Sequence, residues 1–194
     1  GVAPCAKHFP GHGDTRQDSH HELPRLPHAL ERLERVELAP FRAAIAAGIP
    51  AIMAAHVVFE ALDPELPASM SRRVIGGLLR ERLGFGGVVV TDDLEMKAIA
   101  DHHAIEEVAV SGLAAGIDVF LVCHRAELAA RAIDAIVRAV RSGRVAEEIL
   151  QRAVTRVTAF AAEFARPPLA TLDLSRLDSE AHRAVVRRLR AEVG

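Results

Sequence analysis

The stretch Gly86-Gly87-Val88-Val89-Val90-Thr91-Asp92-Asp93 decides how the chain is read. Three valines in a row are apolar on both faces of the strand they predict. Such a strand is buried on both sides, as in a parallel sheet covered by helices. Two carboxylates stand at its carboxyl end, and strand alternation lets only one of them face a given side. Taken alone, the pair could be one helix N-cap and one solvated acid. Its weight comes from recurrence.

The pattern repeats outward. Upstream, Ala51-Ile52-Met53-Ala54-Ala55-His56-Val57-Val58-Phe59 is a second run apolar on both faces, broken by His56 near its end. Before it, Val2-Ala3-Pro4-Cys5-Ala6 reads as a short buried strand ending in Lys7 and His8. Downstream, Asp118-Val119-Phe120-Leu121-Val122-Cys123 ends in His124-Arg125. Between these strands the period turns helical. Residues 37–47 carry Leu38, Phe41, Ile45 and Ala46 at helical spacing, with Pro40 in the first turn and Gly48 as the stop. Ser71 is placed to N-cap a helix over 72–83. Further helices are predicted over 28–34, 104–115, 126–141, 146–164 and 179–192. The prolines at 24 and 27 keep residues 23–27 an extended linker.

Four successive units of buried strand, polar strand end and helix imply an α/β fold with a parallel sheet and right-handed crossovers. An open doubly wound sheet and a (β/α)8 barrel both satisfy this. The glycine fingerprint of a dinucleotide site is absent. In a barrel, Lys7, His8, His56, Asp92, Asp93 and His124 all project from one carboxyl rim, where such folds place their chemistry. A whole barrel needs about 250 residues. Residues 1–165 therefore read as the last four βα units of a TIM-type barrel, and 166–194 as a tail with a C-terminal helix. An isolated half exposes two sheet edges, so dependence on an N-terminal half missing from this chain, or self-association, is expected.

Composition narrows the class. Of 194 residues, 50% are hydrophobic and 26% charged, with a net charge of −2, an ordinary globular balance. Tyrosine and tryptophan are absent and no basic stripe is interleaved with aromatics, so nothing points to nucleic acid. No apolar run is long enough to cross a membrane. Cys5 and Cys123 lie in apolar strand-like runs and are expected as small core residues in a reducing compartment.

The densest polar stretch is the first twenty-one residues. Lys7-His8-Phe9-Pro10-Gly11-His12-Gly13-Asp14-Thr15, followed by Asp18-Ser19-His20-His21, holds four of the ten histidines. Gly11 and Gly13 free the backbone for a tight turn and Pro10 stiffens its entry. A lone loop histidine is ordinarily solvated, but such a density suits a loop that converges on a substrate. His8, His12, Asp14, Asp18, His20 and His21 are also possible metal ligands. No pair of them has the helical spacing of a zinc protease, and neither a metal nor another cofactor is expected.

These residues resemble the signature of glycoside hydrolase family 3, in particular its β-N-acetylhexosaminidase branch. Met53-Ala54-Ala55-His56, Gly86 through Asp93 continued by Leu94-Glu95-Met96, and Ala115-Gly116-Ile117-Asp118 are similar to that branch in the same order. The resemblance covers about residues 2–123. It implies a TIM-like barrel and a retaining, two-step mechanism. Asp92 is then the nucleophile, His20 the acid/base and Asp18 its partner, while Lys7 and His8 bind hydroxyls of N-acetylglucosamine and His56 lines the pocket. A histidine in the acid/base role is chemically apt, since its ordinary pKa of about 6.5 allows transfer both ways near neutrality. Asp92 is expected to stay ionised because Lys7 lies on the same rim. Thr91 stands where the branch often has serine, and the family's early acidic residue and arginine fall outside this chain.

The expected activity is an exo-β-N-acetylglucosaminidase acting on muropeptides or disaccharides from peptidoglycan, in the cytoplasm. A family 3 glycosidase or phosphorylase of other specificity is the nearest rival. A non-catalytic sugar-binding or assembly fragment is the alternative from another class.

Overall fold

A computed structural model describes residues 2–15, 23–165 and 178–193. The elements are β1 (Cys5–Phe9), β2 (Arg25–Leu26), α1 (Leu30–Arg35), α2 (Ala39–Ala46), β3 (Ala51–Ala54), β4 (Val58–Phe59), α3 (Arg73–Arg82, wound as a π-helix), β5 (Val88–Asp93), α4 (Lys97–Ala100), α5 (Ile105–Ala115), β6 (Val119–Leu121), α6 (Ala126–Arg141), α7 (Glu147–Phe164) and α8 (Glu180–Val193). Gly1–Phe164 forms one unit and Ala165–Gly194, which holds α8, a second.

The main sheet has the order β1-β3-β5-β6, with every pair parallel. Parallel neighbours require a crossover, and the helices between the strands supply it. β3 and β5 pair without interruption from Ala51↔Val88 to Ala54↔Thr91. The register slips in two places only, between Ala6 and Phe9 of β1 and between Val90 and Asp93 of β5. Both slips lie at strand ends that carry the polar motifs, where bulges re-aim side chains.

The core lies between the sheet and its helices. Phe9, Leu33, Leu38, Ile52, Phe59, Ile75, Leu79, Val89 and Ile117 form one buried cluster. A second surrounds Met70, Leu94, Ile99, Ile105 and Val108. A third joins α5, α6 and α7 through Val110, Leu113, Ala135, Ala139 and Ala153. Phe120 on β6 packs against all three.

The side chain of Asp118, just before β6, is fully buried. Its carboxylate accepts from Arg80 Nη2 at 2.6 Å, Arg156 Nη2 at 2.7 Å, Arg156 Nε at 2.9 Å and the Val89 amide at 2.9 Å. One acid thus ties α3, α7 and β5 to the foot of β6.

Three sequence expectations are corrected. Cys5 and Cys123 are exposed rather than in the core. Cys5 belongs to an outer strand and Cys123 follows the other, and among the described residues no strand covers either edge. The run 51–59 is two strands, not one: β3 ends at Ala54, and β4 pairs instead with β2 in a separate parallel sheet through Arg25↔Val58 and Leu26↔Phe59. Residues 23–27 therefore contain a short strand rather than a bare linker. Leu26, at 2% exposure, anchors it in the core.

Candidate active site at the carboxyl ends of the strands

β1 ends in Lys7, His8 and Phe9. The Lys7–His8 and Phe9–Pro10 peptides are both cis. Phe9 is fully buried, edge-on to Phe41 with ring centroids 5.1 Å apart. It fixes the strand end from below while its two polar neighbours stand above the core. Gly11 follows at φ +138°, a conformation that side chains rarely adopt. A Cβ there would lie 2.6 Å from the Cβ of Glu37, so glycine is required on both counts.

His8 Nε2 lies 3.4 Å from Asp92 Oδ2, at ion-pair distance and longer than a hydrogen bond of good geometry. Burial lowers the His8 pKa below its usual value. Lys7 and His12 act in the same direction, and Asp92 opposes them. His8 is therefore neutral at pH 7. The His12 ring stands edge-on to it at 5.9 Å. Lys7 is exposed. It lines, with His8, Gly11 and His12, a hollow of about 440 Å³ that does not reach Asp92 or His56.

Asp92 and Asp93 diverge, as strand alternation requires. Asp92 Oδ1 accepts the Asp93 amide at 2.9 Å, and Oδ2 is the oxygen near His8. Asp93 turns toward β6 instead. Its Oδ1 accepts the amides of Glu95 at 3.1 Å and Cys123 at 3.3 Å, and its Oδ2 is 3.8 Å from His124 Nε2. Glu95 continues the tie by accepting from the His124 amide at 2.6 Å and from Arg125 Nε at 2.8 Å. Hydrogen bonding to Arg125 holds the Glu95 pKa down to about 2. Asp93 and Glu95 thus fasten the loop after β5 to the loop after β6. Sequence reading did not assign Glu95 this role; the local acid at i+2 from Asp93 was its only signal.

His56 is buried in the turn between β3 and β4. Its Nδ1 is hydrogen-bonded to Ser69 Oγ at 2.8 Å. Its Nε2 has no partner of good geometry among the described residues, though the ring lies near the backbone of Asp92 and Asp93. Burial pushes its pKa down to about 4 despite the opposing pull of Asp92. It is a neutral group close to Asp92 and Asp93. Ser69, absent from the sequence reading, is its buried partner.

Asp18, His20 and His21 lie outside the described residues, so their expected roles are not placed. Of the ligand candidates named from sequence, Asp14 falls into a cluster with His28 and Glu37 whose ligand atoms lie within 4.8 Å of one another. Arg32 already donates to Asp14 at 2.7 Å and to Glu37 at 3.1 Å, putting a cation where a metal would sit. His8 and His12 do not belong to that cluster.

Residues 1–160 match the family described as "Glycosyl hydrolase family 3 N terminal domain". The chain is 44% identical over 134 residues to a beta-hexosaminidase of Bordetella parapertussis, covering 69% of this chain and 38% of that protein. It is 44% identical over 138 residues to a beta-hexosaminidase of Alkalilimnicola ehrlichii, at 71% and 38% coverage. Among solved structures it is similar to a glycoside hydrolase family 3 beta-N-acetylglucosaminidase from Paenibacillus sp. str. FPU-7. There the TM-score is 0.90 and the identity 50%, over 96% of this chain and 36% of that one. The beta-N-acetylglucosaminidase from Thermotoga maritima gives a TM-score of 0.78 at 33% identity, with 84% and 36% coverage. The chain thus spans well under half the length of these relatives.

Proposed function

The chain belongs to glycosyl hydrolase family 3, and from that membership we propose that it carries the nucleophile side of a retaining β-N-acetylglucosaminidase site. The observation that supports the reading most is the pairing of Asp92 Oδ2 with neutral His8 at the carboxyl ends of β5 and β1. The four βα units are read as half of a (β/α)8 barrel whose remaining strands complete the sugar pocket. The relatives, of which the chain spans 36–38% of the length, support that reading.

In the proposed first step Asp92 attacks the anomeric carbon as the glycosidic bond breaks. The leaving oxygen takes a proton from the His20 imidazolium, with Asp18 stabilising that cation. In the second step the neutral His20 removes a proton from water, and the resulting hydroxide displaces Asp92 from the sugar. This is the double displacement of retaining glycosidases, with an imidazole in place of the second carboxyl. Lys7 and His8 hold sugar hydroxyls. The substrate is proposed as a terminal N-acetylglucosamine on a peptidoglycan fragment, hydrolysed in the cytoplasm.

An aryl N-acetyl-β-glucosaminide tests the reading in the intact protein. Release of the aryl alcohol should be lost in Asp92→Ala. Equal rates in wild type and variant would remove Asp92 from the chemistry. Running the assay with phosphate separates hydrolysis from phosphorolysis, since only the latter yields a sugar 1-phosphate.

A further inference from the structure

At the opposite, amino-terminal ends of β5 and β6, two helices turn arginines toward a common space. Arg72, Gly76 and Arg80 follow one another at intervals of four along α3 and its N-cap. Arg152 and Arg156 have the same interval on α7. All four arginines line one cavity of about 250 Å³, whose walls also include Gly76 and Gly116.

The charges there do not balance. Glu81 is the one acid in the cavity wall, and buried Asp118 is held by Arg80 and Arg156. Four guanidinium groups thus face two carboxylates, and because Arg80 also donates to the carbonyls of Phe85, Gly87 and Gly116, Arg72 and Arg152 are the groups left to a ligand. Arg72 and Arg152 are exposed and make no hydrogen bond or ion pair among the described residues. Arg80 Nε is buried and has no partner among them. Arg152 and Arg156, like charges four residues apart, weaken their helix, and the arginines of α3 facing them add to the repulsion. Gly76, in the cavity wall, weakens its helix further. An arrangement unfavourable to the empty fold becomes favourable once an anion occupies it.

We propose that this cavity binds a phosphate-class oxyanion, free or carried on a small metabolite. Guanidinium forks match the oxygens of phosphate with paired, charge-assisted hydrogen bonds. The site is separate from the carboxylate rim and does not depend on the glycosidase reading.

Calorimetric titration of the intact protein with inorganic phosphate and with a hexose 6-phosphate tests it, at ionic strength matched with chloride. The variants are Arg72→Gln/Arg152→Gln and Arg152→Gln alone; both positions are exposed, and the single change covers the case in which the double variant does not fold. His8→Ala controls for anion binding at the rim. Expected is one saturable site per chain, weakened at least about tenfold in either folded arginine variant and unchanged in His8→Ala. Equal affinity for both ligands marks the free ion as sufficient, and tighter hexose phosphate binding marks a carried group. The proposal is overturned by absence of saturation, by undiminished binding in the arginine variants, or by loss of binding in His8→Ala.

Discussion

His8 and Asp92 meet at 3.4 Å although β3 lies between their strands. In a flat sheet, strands two places apart are separated by about 9–10 Å. The two side chains close that gap by reaching toward each other across the carboxyl end of β3. His56, two residues beyond β3, has its ring near the backbone of Asp92 and Asp93. The contact joins the ends of strands that the proposed barrel would carry on one rim.

Protonating His56 should destabilise the fold. Its pKa is about 4 in the folded chain against an ordinary 6.5. Above pH 6.5 both folded and unfolded states hold it neutral, and it adds no pH dependence. Between pH 6.5 and 4 the unfolded state binds the extra proton, so stability falls as pH falls. Below about 4 the loss is complete, amounting to about 3 kcal/mol. Denaturation midpoints measured across that window should decline in wild type and decline less in His56→Gln. Parallel curves would mean that His56 is not the group responsible.

Asp118→Asn should be severely destabilising. The change leaves Arg80 and Arg156 facing a neutral amide in a buried place. Breaking such a pair typically costs about 3–5 kcal/mol. Urea unfolding reads the effect directly, and a shift in midpoint close to zero would contradict the anchoring role.

Gly11→Ala and Gly13→Ala should differ sharply. Residue 11 needs φ +138° and its Cβ would strike Glu37, whereas a Cβ at residue 13 meets nothing within 4 Å. The first change should lower stability by about 1–3 kcal/mol, and the second should leave the melting temperature nearly unchanged. Equal melting temperatures would show that the turn relaxes freely.

Much of this was legible in the sequence because buried parallel strands announce themselves. Val88 to Val90 could be read as a two-faced buried strand, and the polar groups after each strand then fell on one rim. What could not be read was pairing at a distance. Nothing local in residues 51–59 says that Val58 leaves the main sheet to join Arg25. Nothing in Cys5 or Cys123 says that its strand is an edge. The anchoring of Asp118 by Arg80 and Arg156, and the staple of Asp93 and Glu95 onto the β6 loop, need coordinates because each joins elements that are remote along the chain. Asp18 and His20 carry the acid/base half of the proposal from the family resemblance alone.

The most direct test of the central claim is covalent trapping of the intact protein with a slow fluorinated N-acetylglucosamine analogue, followed by peptide mass spectrometry. The account predicts a glycosyl ester on Asp92, absent in Asp92→Asn and retained in Asp93→Asn. A label on Asp93, or turnover with inversion and no covalent adduct, would contradict it.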